Sequence, residues 1–154
     1  MKSILSALTA WAALTGGAFG QTLPAGKVPA KVRVALQAKF PGVTKVEWKL
    51  KSDKNYEAEF ELKDVEVTAK FDDNGKWLET ETAIEQSALT KEVLPTISKG
   101  YKEYKIIETQ KVERADNKSM LFEVHLENAE EMLKVQLEAN GAVASRTIKR
   151  KKDQ

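Results

Sequence analysis

Three glutamates at alternate positions, Glu57, Glu59 and Glu61, are the residues of this chain whose spacing most directly invites chemistry. On a β-strand they share one face with neighbours roughly 7 Å apart, and paired carboxylates at such separations can act as acid and base. That work requires a pocket that drives the two pKa values apart. Lys45, Lys49 and Lys70 can reach the same carboxylates across strands, which makes a solvated ion-pair face the plainer reading. The single histidine, His125, stands 66 positions after Glu59. It is expected on the equivalent outward face, in water, with Glu123 and Lys134 on the same surface. The chain has no cysteine, and no serine sits in a Gly-x-Ser-x-Gly elbow. Neither a Ser-His-Asp nor a Cys-His arrangement therefore has local support, and the chain reads as non-enzymatic.

Asp72-Asp73-Asn74-Gly75 invites comparison with a calcium loop, because with Gly75 at the sixth position Asp72, Asn74 and Glu81 fall on ligand positions. Lys70 would then occupy the first position, and strands rather than helices flank the segment, so it reads as a hairpin turn. No metal or cofactor is expected. Trp77 has two placements. If Leu78 points inward, Trp77 stands on the charged face, where an exposed aromatic would anchor a partner; with the opposite strand phase, or a bulge, it belongs to the core. Lys149-Arg150-Lys151-Lys152 reads as a solvated basic tail.

These residues are positioned by a period-2 pattern. Tyr56, Ala58, Phe60 and Leu62 alternate with the glutamates, and Val65, Val67, Ala69 and Phe71 alternate with Glu66, Thr68 and Lys70. Asn74-Gly75 then turns the chain into another strand. The pattern returns 66 positions later in Leu121 to Glu127, Leu133 to Leu137 and Asn140-Gly141. Ahead of each block lies a helical stretch. Pro29 opens the first, with Val32, Ala35, Leu36 and Phe40 on one face, and Pro41-Gly42 closes it. The second opens near Pro95, with Thr90 as a candidate N-cap, and Gly100 interrupts it. The expected fold is α+β: a tandem repeat of one helix plus a four-stranded antiparallel meander, over about 28–83 and 94–149, within a single domain of 21–154. The two sheets are expected to join into one eight-stranded sheet with the helices on one face. Val32, Leu36, Val46, Tyr56, Phe60, Val67, Phe71, Val112, Phe122, Val124, Leu133, Val135 and Leu137 are the expected buried set, with Trp48 in the core as well. Gln21 to Lys27 is read as a flexible polar leader.

Residues 1–20 read as a secretory signal peptide: Lys2, an apolar run from Ile4 to Leu14, and Ala18-Phe19-Gly20 ahead of a cleavage before Gln21. The apolar run falls short of the roughly 20 residues a bilayer span requires, so no stable membrane anchor is expected and the mature chain is placed in the periplasm or outside the cell. The formal charge of the whole chain is +2. Removing Lys2 leaves about +1, with no basic excess for nucleic acid.

Val28-Pro29 before a helix, Phe40-Pro41-Gly42 after it, a meander ending in Asp-Asn-Gly and a second copy opening at Leu94-Pro95 together resemble the exported PepSY-like proteins of Bacteroidetes. Their fold is similar to that of the β-lactamase inhibitor protein, and the resemblance covers essentially the whole mature chain. It implies a periplasmic, non-enzymatic binding or inhibitory module that contacts a protein or peptide of the cell envelope through its exposed sheet face. No inhibitory residue pattern carries over. On that face the candidates are Trp77, Glu47, Glu57, Glu59, Glu61, Glu123, His125 and Lys134. The alternative is a small-ligand or cation binder using the outward glutamate strip.

Overall fold

A computed structural model of the chain describes residues 21–116 and 120–151. The expected signal peptide, with its cleavage site at Gly20, and Lys152 of the basic run lie outside these residues. Among the described residues there are two α-helices, α1 (Ala30–Lys39) and α2 (Val93–Gly100), and nine strands. The strands are β1 (Gln21–Leu23), β2 (Val46–Leu50), β3 (Tyr56–Leu62), β4 (Val65–Phe71), β5 (Trp77–Ala83), β6 (Lys105–Arg114), β7 (Leu121–Glu127), β8 (Glu131–Glu138) and β9 (Val143–Arg150). They are antiparallel and follow chain order, so the fold is α+β with a nine-stranded sheet rather than an eight-stranded one. The extra strand comes from the leader. Instead of remaining unstructured, Gln21, Thr22 and Leu23 pair with Leu50, Lys49 and Trp48, and Leu23 adds its side chain to the core. No helix of the described residues is long and apolar enough to cross a membrane.

The chain divides into two compact units, residues 21–82 with Arg114–Asp116, and Ala83–Glu113 with 120–151. In the first, α1 lays Val32 and Leu36 on the apolar face of β2 to β4, against Trp48, Ala58, Phe60, Val67 and Phe71. Pro29 is the extended residue just before the helix, and Phe40 ends it. The register pairs Tyr56 with Phe71 and Phe60 with Val67, and so Glu57 with Lys70 on the other face. A one-residue slip would have exchanged the two sets. Lys63 and Asp64 turn β3 into β4 with φ of 52° and 62°, the doubly left-handed geometry that matches strand twist.

In the second unit α2 packs Val93 and Ile97 on Phe122, Val124, Leu126, Leu133, Val135 and Leu137. This helix begins ahead of Pro95, which takes the third position, where a missing N–H costs no hydrogen bond. The Val93 N–H donates to Thr90 Oγ1 at 3.1 Å, as a capping side chain does. Gly100 terminates the helix rather than interrupting it. Of the expected buried set only Val46 and Tyr56 are half-buried; the rest are buried.

Both units close their last hairpin against their own helix. Gly75, at φ +83°, brings its α-carbon so near that an added Cβ would lie 2.6 Å from the Lys31 carbonyl oxygen. Gly141, at φ +85°, stands in the same relation to the Glu92 carbonyl, again at 2.6 Å. A bulge follows in each case, between Lys70 and Phe71 opposite β5 and between Gln136 and Leu137 opposite β9.

Candidate functional site

The first bulge decides the place of Trp77. It pairs Phe71 with Trp77 and then skips to Lys70 with Glu79, so Trp77 shares the helix side of the sheet with fully buried Phe71. There it packs against the core. Its Nε1–H donates to Thr80 Oγ1 at 2.8 Å, and the Lys39 ammonium lies 3.7 Å from the ring centroid, a cation–π arrangement. Trp77 is therefore absent from the charged face, and the expectation of an exposed aromatic anchor there is corrected.

On the charged face of the first unit the glutamates are engaged. Lys49 Nζ donates to Glu59 Oε1 at 2.6 Å and stands 3.7 Å from Glu47. Lys51 reaches Glu57 at 3.4 Å. Lys70 stands 3.7 Å from Glu79, whose other oxygen accepts from Arg114 Nε at 2.6 Å. Burial raises the pKa of the Glu59 carboxyl, with Lys49 pulling the other way. For Lys49, burial opposes the charge, but Glu59, Glu47 and Glu57 together hold its pKa above the usual lysine value. Glu57 was expected in water and is buried, because β2 and β4 flank it and Lys51 closes over its carboxylate. Glu47 and Glu61 are exposed and Glu59 half-buried, so the accessible part of the strip is acidic. Beside Glu79 lies a cleft of about 260 Å³ lined by Lys70, Lys76, Leu78, Arg114 and Asp116. No local pattern announces this cleft, since Arg114 and Asp116 arrive from far along the chain.

The equivalent face of the second unit is a closed polar network. Here the outward, solvated placement of Glu123 and His125 is corrected: Glu123 is 0 % exposed and His125 3 %. His125 Nδ1 stands 2.8 Å from Glu108 Oε2 and Nε2 2.7 Å from Glu123 Oε1. Glu123 also accepts from half-buried Lys134 at 2.8 Å and from Gln136 Nε2 at 2.7 Å. Gln110 Nε2 donates to Glu108, and Ser145 Oγ to Gln136 Oε1, at 2.7 and 2.8 Å. The chain of bonds crosses β6, β7, β8 and β9.

Burial by itself would raise the Glu123 carboxyl, but His125 and Lys134 outweigh it and bring the pKa from 4.5 down to about 2. Burial likewise disfavours the His125 cation, yet hydrogen bonds to Glu108 and Glu123 raise its pKa above the ordinary histidine value. A carboxylate stands within 2.8 Å of each ring nitrogen, which favours the protonated ring, and the constellation ties β6 to β7 through one buried side chain. Sequence reasoning missed Glu108, Gln110, Gln136 and Ser145. The signal in β6 was masked by a bulge between Ile106 and Glu108 that shifts its phase. As a result Val112, though buried as expected, pairs with Leu121 on the polar side.

The acidic turn residue Asp72 is also accounted for. Its Oδ1 accepts from the Asn74 and Lys76 N–H groups at 2.9 and 2.8 Å, as a turn cap does.

Comparison with known proteins places this architecture. It is similar to a BLIP-like protein from Bacteroides fragilis, at 23 % identity and a TM-score of 0.67, covering 86 % of this chain and 92 % of that one. A DUF2874 family protein from Bacteroides uniformis gives 17 % identity and a TM-score of 0.70 over 78 % and 88 % of the two chains. A protein from Bacteroides eggerthii described as "putative periplasmic" gives 13 % and 0.70 over 79 % and 88 %. At these identities the likeness is one of fold. No curated protein matches the chain. The profile of the family described as "Putative beta-lactamase-inhibitor-like, PepSY-like" matches residues 11–70 and again 54–143. Since those two matches together take in most of the chain and reach into both units, the protein belongs to the PepSY-like family.

Proposed function

We propose that the protein is a non-enzymatic binding module of the cell envelope that engages a protein partner through the charged sheet face of its first unit. The observation that carries this reading is the preformed state of that face. Lys49 holds Glu59, so that pair has little side-chain freedom left to lose on association, while Glu47 and Glu61 remain accessible on either side. Membership in an inhibitor-like family supports a protein partner in general. Export, with Gln21 as the first residue of the mature protein, is supported by the sequence of residues 1–20 and by the "putative periplasmic" description of one structural neighbour. Glu123, His125 and Lys134 serve this module as its scaffold, and Trp77 as part of its core. We also read the two units as copies of one ancestral segment, on the strength of the matching bulges and helix-contacting glycines.

The cation-binding alternative draws less support, because Lys49 and Lys51 already neutralise Glu59 and Glu57. Among the described residues no group of three or more His, Cys, Asp or Glu side chains is arranged to hold a metal ion.

The test is photocrosslinking of the mature protein in its own envelope extract, with a benzophenone amino acid at position 47 or 61, and at exposed Val34 on α1 as control. A common crosslinked species from 47 and 61 that is missing from 34, and is lost when the other position carries a lysine, is the expected result. Crosslinks from 34 alone would remove the sheet face from consideration. Thermal melts with millimolar calcium or magnesium test the alternative, since a cation that binds only the native state raises the midpoint.

A further inference from the structure

The second unit ends in a strand that its helix does not cover. β9 is eight residues long and last in the strand order, so among the described residues one of its edges pairs with no strand. Its register sets Val143, Arg146, Ile148 and Arg150 on the same side as Leu137, Val135, Leu133 and Glu131 of β8. The three β8 aliphatics belong to the core under α2. Val143 and Ile148 do not: they are 47 % and 49 % exposed. The core cluster under α2 takes residues of β7 and β8 and none of β9, so the apolar side of the sheet runs on for one strand into solvent. Between and beyond the two aliphatics stand exposed Arg146 and Arg150.

We propose that this edge receives an extended, acidic segment of another protein, added as a strand antiparallel or parallel to β9. Open edges bind strands through their backbone groups, and alternate side chains set the choice of partner. Along this face aliphatic and cationic side chains take turns, so the fitting segment carries an aliphatic residue and an Asp or Glu in turn at every second position. A second copy is disfavoured, since it would bring together two edges that each carry Arg146, Lys149 and Arg150. Charge on an edge strand also serves to keep copies apart, but that role does not account for two half-exposed aliphatics between the charges. The opposite edge, β1, is three residues long, too short to offer the same ladder. This edge belongs to the second unit and Glu47 and Glu61 to the first, and its test does not depend on theirs.

The probe is a short capped peptide with Val and Glu in turn at every second position and Thr between them, compared with its counterpart carrying Lys at each acidic position. Fluorescence anisotropy reads binding, and amide exchange by NMR reads its place. The acidic peptide is expected to bind saturably and to slow exchange at alternate amides of 143–150, and the basic one to do neither. Arg146→Glu with Arg150→Glu should weaken the acidic peptide at least about tenfold and admit the basic one. Should that pair fail to fold, Arg146→Gln with Arg150→Gln is expected to move affinity in the same direction. Glu47→Lys with Glu61→Lys should leave it unchanged. The proposal is overturned if neither peptide binds, if binding survives charge reversal, or if exchange slows elsewhere. A concentration-dependent dimer with β9 amides protected and no peptide present would assign the edge to a second copy instead.

Discussion

Replacing Glu123 by glutamine keeps the side chain's size and removes its charge from the centre of the polar network. The carboxylate is wholly buried and its pKa falls from 4.5 to about 2. At about 1.4 kcal/mol per pH unit, that drop corresponds to about 3 kcal/mol of native stability. It also matches the size expected when one partner of a buried ion pair is removed, about 3–5 kcal/mol. Because the folded pKa is depressed, this stability is present above pH 4.5 and is lost as the pH falls from there toward 2. The shift of His125 has the opposite sign. Its folded pKa is raised, so its share is complete below the unfolded value of 6.5 and disappears as the pH rises through the folded one. The two shares arise largely from one hydrogen bond and are not to be added. Urea titrations followed by tryptophan fluorescence should show Glu123→Gln less stable than the parent by about 3 kcal/mol at pH 5–6. The gap should shrink to well under about 1 kcal/mol by pH 2. A gap below about 1 kcal/mol at pH 6, or one that persists unchanged at pH 2, would refute the assignment of a buried, ionised Glu123.

Gly75→Ala and Gly141→Ala should each cost about 2 kcal/mol or more in the same titrations, through left-handed backbone strain together with a methyl group pressed on a helix carbonyl. Gly26→Ala, with nothing within 4 Å of the added Cβ, is the neutral control. Trp77→Ala should lower stability by about 2–3 kcal/mol while leaving any sheet-face crosslink in place; loss of the crosslink without a loss of stability would return Trp77 to the charged face. Peptide mass mapping of the exported protein should give an N-terminal peptide that begins at Gln21, with or without the loss of ammonia that cyclises a terminal glutamine.

Period-2 alternation carried most of the fold, because each strand from Tyr56 to Phe71 and from Leu121 to Leu137 divides cleanly into two sides. The pattern tells which side a residue takes but not whether that side is wet. Glu57 and Glu123 each lie on the side of the sheet away from the helix of their unit, and both are buried because Lys51, Lys134 and Gln136 fold over them. Such closure depends on side chains distant in sequence, so no local window shows it. Bulges are the second blind spot. The extra residue Leu78, opposite the step from Lys70 to Phe71, carried Trp77 to the core side, and Ile107 in β6 brought Glu108 onto the face of His125. β1 was invisible because three residues are too few to express a period.

The two helix-contacting glycines fix how the chain can vary in length. At Gly75 and Gly141 the hairpin backbone is seated on a helix carbonyl, and in the second unit Thr90 and Thr96 also donate to the carbonyls of Ala139 and Gly141. A residue inserted in either turn would have to lift a helix from its sheet, so those two loops cannot grow without cost to the core. The Lys63-Asp64 turn, exposed and joined to no helix contact of this kind, is free of that restraint. It is the natural point at which to graft an epitope, a reporter or a longer loop, and the point at which relatives of this protein can differ in length while keeping the same interior.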